Sequence, residues 1–322
     1  MADYNKAIEL NPNFALAYSN RGVLKKRGND INGAIADYTK AIKLNPHVET
    51  YFFNRGNAMM VKGDLTGAAA DYSEAIKLNP NFVKAWDARG ILKATQRDWE
   101  GAIADFTKAI GLKPDVAEYY NDRGGAITGK KDYAAAMMDY SKAIEIKPDM
   151  LMAYMNRWRV EAAMADWDGA MADATKAIQL KPDDAEAFYA RGFIKKVKGD
   201  KEGAINDYGK AITIEPDMVV AYEGRGIEEQ AKADWDAALA DYNKAIKLKP
   251  DDEPIYCARG KVRQAKGDLD GAIADYSRAI ALNPNVGENY YCRGNVREIE
   301  GNLDGASADH AKAHQLDPLS FP

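Results

Sequence analysis

Few side chains in this sequence are grouped as catalysis or metal binding requires. His310 and His314 stand four residues apart on one helical face with Asp309 beside them, a spacing able to offer two metal ligands. Two ligands do not make a site, and the bland account is better. Ser307, His310 and His314 replace the Ile, Tyr and Ile that other stretches of the chain bury, giving the end of the sequence a polar outer face. No Gly-rich phosphate loop, GxSxG, HExxH or paired-cysteine metal spacing occurs. The expectation is no enzyme, no cofactor and no metal.

The charged groups fall into columns instead. Arg recurs at Arg21, Arg55, Arg89, Arg123, Arg157, Arg191, Arg225, Arg259 and Arg293. Asp recurs at Asp37, Asp71, Asp105, Asp139, Asp173, Asp207, Asp241, Asp275 and Asp309, with Asp3 as one more. One carboxylate per guanidinium predicts an Arg–Asp ladder between helices, because a buried charge is costly unless paired. A net charge of -5 disfavours phosphate backbones and anionic lipid, so neither nucleic acid nor membrane is an expected partner. Cys257 and Cys292 fall on neighbouring helices whose axes should lie roughly 8–10 Å apart, long for a disulfide, so both read as free thiols.

These columns are set by a repeat. Pro12, Pro46, Pro80, Pro114, Pro148, Pro182, Pro216, Pro250, Pro284 and Pro318 follow one another at a period of 34 residues. Nine full copies fit, at 15–48, 49–82, 83–116, 117–150, 151–184, 185–218, 219–252, 253–286 and 287–320, after a half copy at 1–14 and before a tail at 321–322. Each copy reads as two amphipathic helices, as in Tyr18, Arg21, Gly22 and Lys25 and then Ala34, Tyr38, Ala41 and Ile42. The recurring Asp at Asp30 to Asp268, and Asn302, should cap the second helices. The pairs Pro80-Asn81, Pro114-Asp115 and Pro148-Asp149 should end one helix and cap the next. A mid-helix glycine recurs from Gly22 to Gly294, which predicts close helix packing. Trp158 breaks that column, and its copy has Ala174 where others have a ring, so the indole is read as filling the vacated space.

The alternating aromatic, Gly and small residues of the first helix, Ala, Tyr and Ala on the second, and Pro at this period resemble the tetratricopeptide repeat over essentially the whole chain. The resemblance implies an all-α fold, an α-solenoid of stacked antiparallel helix pairs in a right-handed superhelix, with first helices lining a concave channel. On that geometry the channel face holds Asn20, Lys26, Phe53, Asn54, Asn57, Met60, Ile91, Asn121, Met155, Asn156, Arg159, Tyr189, Phe193, Lys196, Tyr291 and Asn295, with Asp87, Met152, Ile227 and Cys257 alongside. Relatives grip a peptide backbone through channel asparagines. Asn20, Asn54 and Asn156 share one column, interrupted by Ala88 and Asp122. Phe53, Met155, Tyr189, Phe193 and Tyr291 suggest apolar anchors for a partner.

The expected function is therefore a scaffold that binds a protein or peptide segment in the channel. The alternative is a module that self-associates through Tyr4, Ala7 and Ile8, which keep the buried pattern with no helix before them. With no apolar run near the ~18 residues of a membrane span, and no leader read at Met1-Ala2-Asp3-Tyr4, the default location is the cytoplasm.

Overall fold

A computed structural model describes residues 1–321 and contains 19 α-helices and no strand among them. The chain divides into two compact units, Met1–Met164 and a second from Ala165 onward. The first holds α1 (Ala2–Leu10), α2 (Ala15–Arg27), α3 (Ile31–Leu44), α4 (Glu49–Lys62), α5 (Leu65–Leu78), α6 (Val83–Thr95), α7 (Trp99–Leu112), α8 (Ala117–Gly129), α9 (Tyr133–Ile146) and α10 (Leu151–Ala163). The second holds α11 (Trp167–Leu180), α12 (Ala185–Val197), α13 (Lys201–Ile214), α14 (Val219–Ala231), α15 (Trp235–Leu248), α16 (Glu253–Ala265), α17 (Leu269–Leu282), α18 (Gly287–Ile299) and α19 (Leu303–Leu316). Each unit is a solenoid of stacked helix pairs. Within a unit every even-numbered helix touches the next even-numbered one, as α6 touches α8 and α14 touches α16, whereas the odd-numbered helices make no comparable contact with one another. The even-numbered, first helices are thus the tighter inner layer.

Local signals fix the ends of these helices. Asp30 accepts the Gly33 N–H at 2.9 Å, and Asp200 caps Gly203 in the same way. The same bond opens every second helix from α3 to α19. Three of the first helices, α6, α8 and α10, start differently from expectation. Asn81, Asp115 and Asp149 do not cap them; each is followed by an apolar N-cap, Phe82, Val116 and Met150. The reason is packing. The Phe82 ring meets Phe53 edge-on at 5.1 Å, closing the joint between hairpins at the position a polar cap would occupy.

The hairpins close on a ring. A Cβ built on Gly22 would lie 2.8 Å from the Tyr38 ring, and one on Gly226 would lie 2.9 Å from Tyr242. Tyr38, Tyr72, Phe106, Tyr140, Tyr208, Tyr242 and Tyr276 are almost fully buried in this way, each worth roughly 1.5–3 kcal/mol of apolar burial. Trp158, which stands in place of the glycine, is 8% exposed.

Candidate functional site

The Arg–Asp columns form the expected ladder. Arg21 grips Asp37 with two bonds, Nε to Oδ2 at 2.8 Å and Nη2 to Oδ1 at 2.7 Å. The same fork recurs at Arg55–Asp71, Arg89–Asp105, Arg123–Asp139, Arg191–Asp207, Arg225–Asp241, Arg259–Asp275 and Arg293–Asp309. Each guanidinium also lies over the aromatic ring three residues earlier, as Arg89 does over Trp86 at 5.0 Å. In several rungs the third nitrogen also reaches back to the preceding second helix: Arg55 donates to Thr39 at 3.1 Å and Arg89 to Ser73 at 3.0 Å. A second cation completes several rungs, Lys25, Lys93, Lys195, Arg263 and Arg297. These arginines are therefore engaged in joining helices, three of them where the backward bond is made, rather than turned to a ligand.

The inner face is organised by a diagonal contact. Asn156 Nδ2 on α10 donates to Asn121 Oδ1 on α8 at 3.0 Å, so residues 35 apart meet where neighbouring first helices touch. This contact corrects part of the expected channel. Asn121 and Met155 are buried at 8% and 3% exposure, drawn into the packing between helices. Asn20, Lys26, Phe53, Asn54, Asn57, Met60 and Asn156 are half-buried, and Ile91 and Arg159 are exposed. Several already have neighbours. Asn57 accepts the Tyr72 hydroxyl at 2.8 Å, Phe53 packs on Tyr72 at 6.0 Å, and Arg159 donates to the Met155 carbonyl at 2.8 Å while lying over the Trp158 ring. Lys26 and Asn54 line a small cavity with Val23 and Tyr38, where burial pulls the Lys26 ammonium below its ordinary pKa.

In the second unit Tyr189, Phe193, Lys196 and Asn295 are half-buried and Tyr291 is 39% exposed. Tyr189 lies 5.8 Å from Tyr208 and Phe193 6.3 Å from Trp167. Tyr291 stacks on Phe321 at 5.0 Å. His310 fills the ring position over Gly294 and pairs with Asn295 at 3.0 Å, and His314 pairs with the Phe321 carbonyl at 2.8 Å. The two histidines have separate partners and do not converge. Cys257 and Cys292 are free thiols in one apolar cluster, and burial pushes Cys257 up to about 12.

Two larger cavities open on the inner layer, one in each unit. In the first unit about 320 Å³ lies among α6, α8 and α10, walled by Ile91, Trp99, Phe106 and Met152, with Asn121, Asp122 and Asn156 at its polar end. In the second about 560 Å³ lies among α14, α16 and α18, walled by Ile227, Trp235, Pro254, Cys257 and Val286, with Gln230, Glu253, Lys261 and Glu288 as its polar groups. Sequence reasoning missed Trp99 and Trp235, which open second helices yet reach the inner face. The available signal was a large ring directly after the capping Asp98 and Asp234.

Sequence models of the tetratricopeptide repeat match residues 15–48, 50–82, 88–150, 185–218, 231–267 and 262–298. The chain belongs to the tetratricopeptide repeat family. It matches no curated protein sequence. Among solved structures it is similar to YrrB, described as a TPR protein with an unusual peptide-binding site, at 23% identity and a TM-score of 0.50 over 58% of this chain and 97% of that one. It is also similar to a tetratricopeptide repeat protein from Parabacteroides merdae, at 18% identity and a TM-score of 0.58 over 80% of this chain and 98% of that one. A third likeness is to the APC/C hetero-tetramer Cut9-Hcn1, at 16% identity and a TM-score of 0.59 over 90% of this chain and 56% of that one. At these identities the likeness is one of fold. Among the described residues no helix is long and apolar enough to cross a membrane.

Proposed function

We propose that the chain is a protein-interaction scaffold whose inner, first-helix face holds a segment of a partner protein. One observation carries this reading. Large apolar side chains stand exposed on that face, Ile91 at 42%, Met152 at 57% and Ile227 at 41%, at the rims of the two cavities. The arginines, which could have offered an anion site, are taken up by the ladder. The test is cross-linking and capture of partners from the source cell with the wild-type chain and with Ile91, Met152 and Ile227 changed to Ser. Partners lost with the substitutions identify the client of the inner face. An unchanged set moves the site to the second helices.

Self-association through α1 is a second reading, favoured by the absence of any fully buried residue in that helix and by Leu10 at 75% exposure. Light scattering of the chain with Tyr4 and Ile8 changed to Glu tests it. A monomer both before and after the change removes it.

A further inference from the structure

The carboxylates drawn from water in the first unit include two kinds. Those of the second helices are answered by cations, as Asp105 is by Arg89 and Lys93, both at 2.8 Å. Asp87 on α6 and Asp122 on α8 are not. They stand 35 residues apart, in the same diagonal relation that joins Asn121 to Asn156 one hairpin further on. Asp87 Oδ1 is wholly buried without a hydrogen-bond partner. Asp122 accepts an amide bond from Asn121 at 3.1 Å. Beyond burial, the charges that act on Asp87 are those of Asp122 and Glu118, and the charge that acts on Asp122 is that of Glu118, all negative. Glu118 is itself held by Lys147 at 2.9 Å. Burial first, and then this repulsion, pushes Asp87 up to about 6 and raises Asp122 as well. Two half-buried carboxylates, one repelled by the other and neither bonded to a cation, are unfavourable in the free protein, and a cation supplied from outside would relieve both.

The neighbourhood says what should carry that cation. Asp122 forms the polar end of the 320 Å³ cavity, whose mouth is apolar at Ile91 and Met152. Asn156 donates to Asn121 there, Asn121 donates to Asp122 and Asn156 accepts from Arg159, which still leaves one amide hydrogen and one lone pair on each asparagine for a passing backbone. The second unit's cavity differs, because its Lys261 is already paired with Glu288 at 2.6 Å. We infer that the α6–α8–α10 face takes a basic segment of a partner protein, an apolar side chain entering the cavity while an adjacent lysine or arginine reaches Asp87 and Asp122. This rests on the inner-face reading above and adds the chemistry of the partner to it. Arginine suits the site better than lysine, since its planar fork can bond both carboxylates at once.

A displayed library of random 12-residue peptides selected on the full-length chain tests the inference. Selected peptides should be enriched in Arg or Lys next to Leu, Ile, Met or Phe. Their affinity, read by fluorescence anisotropy, should fall about tenfold or more in Asp87→Asn/Asp122→Asn and should weaken as salt rises. The same double variant should melt no lower than wild type, so lost binding would not reflect lost folding. Peptides selected without basic residues, and sensitive to Ile91→Ser/Met152→Ser but not to the Asn pair, overturn the basic partner and leave the inner-face reading standing. Peptides indifferent to both pairs of substitutions, or a library that yields none, overturn both.

Discussion

Glu229 Oε1 stands 3.7 Å from the Arg225 guanidinium, which Asp241 already holds at 2.7 Å, so two carboxylates share one cation. In the hairpins on either side the same position is a cation, Lys195 at 2.7 Å from Asp207 and Arg263 at 3.0 Å from Asp275. Burial, and then the Asp241 charge, pushes Glu229 up to about 7, and its Oε2 is buried without a partner. The folded-state value lies above the unfolded one of about 4.3. Stability from this group is therefore full below about pH 4 and is lost as pH rises through about 7. Urea unfolding of Glu229→Gln should show a smaller loss of stability from pH 5 to pH 8 than wild type. Glu229→Lys should gain on the order of 1 kcal/mol at pH 8. Identical pH responses in wild type and Glu229→Gln would remove the argument.

The opposite case is Asp207, whose side chain is 1% exposed between Arg191 and Lys195. Burial alone would raise its pKa, but hydrogen bonds from both cations hold it below the ordinary range. Asp207→Ala leaves two cations without their acceptor and should cost about 3–5 kcal/mol in chemical denaturation. A cost under about 1 kcal/mol would mean that the fork is ornamental.

Trp158→Gly restores the residue type of the other copies of the repeat yet should destabilise, because its own copy has Ala174 in the ring column. Removing an indole that is 8% exposed should cost roughly 3 kcal/mol or more. A wild-type melting curve would show that the ring fills no needed volume. The converse substitution, Gly226→Ala, drives a methyl to 2.9 Å from the Tyr242 ring and should also lower the melting temperature.

Ala233 follows α14 with φ of 60°, in the left-handed region, where Gly63, Gly199, Gly267 and Gly301 stand in other hairpins. Ala233→Gly should stabilise by roughly 0.5–1 kcal/mol, and Gly267→Ala should destabilise by a similar amount. Thermal melts of the two variants moving the same way would contradict this.

The sequence carried the elements and the pairing within them. Period, capping Asp30, glycine against ring, and Arg21 against Asp37 are relations inside one hairpin, where chain spacing limits which groups can meet. The inner face was only partly legible. Which residues meet across neighbouring first helices depends on the rotation from one hairpin to the next, and no spacing within a copy reports that angle. Hence Asn121 and Met155 sink into the joint, and Trp99 and Trp235 arrive on the inner face from the second helices. Asn81, Asp115 and Asp149 went astray for a related reason: the loop's polar group lost its place to an apolar side chain serving the next joint.

The backward reach of the ladder gives the stack a polarity. Arg55, Arg89, Arg123, Arg259 and Arg293 each borrow an acceptor from the hairpin before their own, Thr39, Ser73, Thr107, Asn243 and Ser277. Local melting is therefore not symmetric. A hairpin that opens takes an oxygen from the guanidinium downstream of it, whereas the upstream arginine keeps all of its bonds.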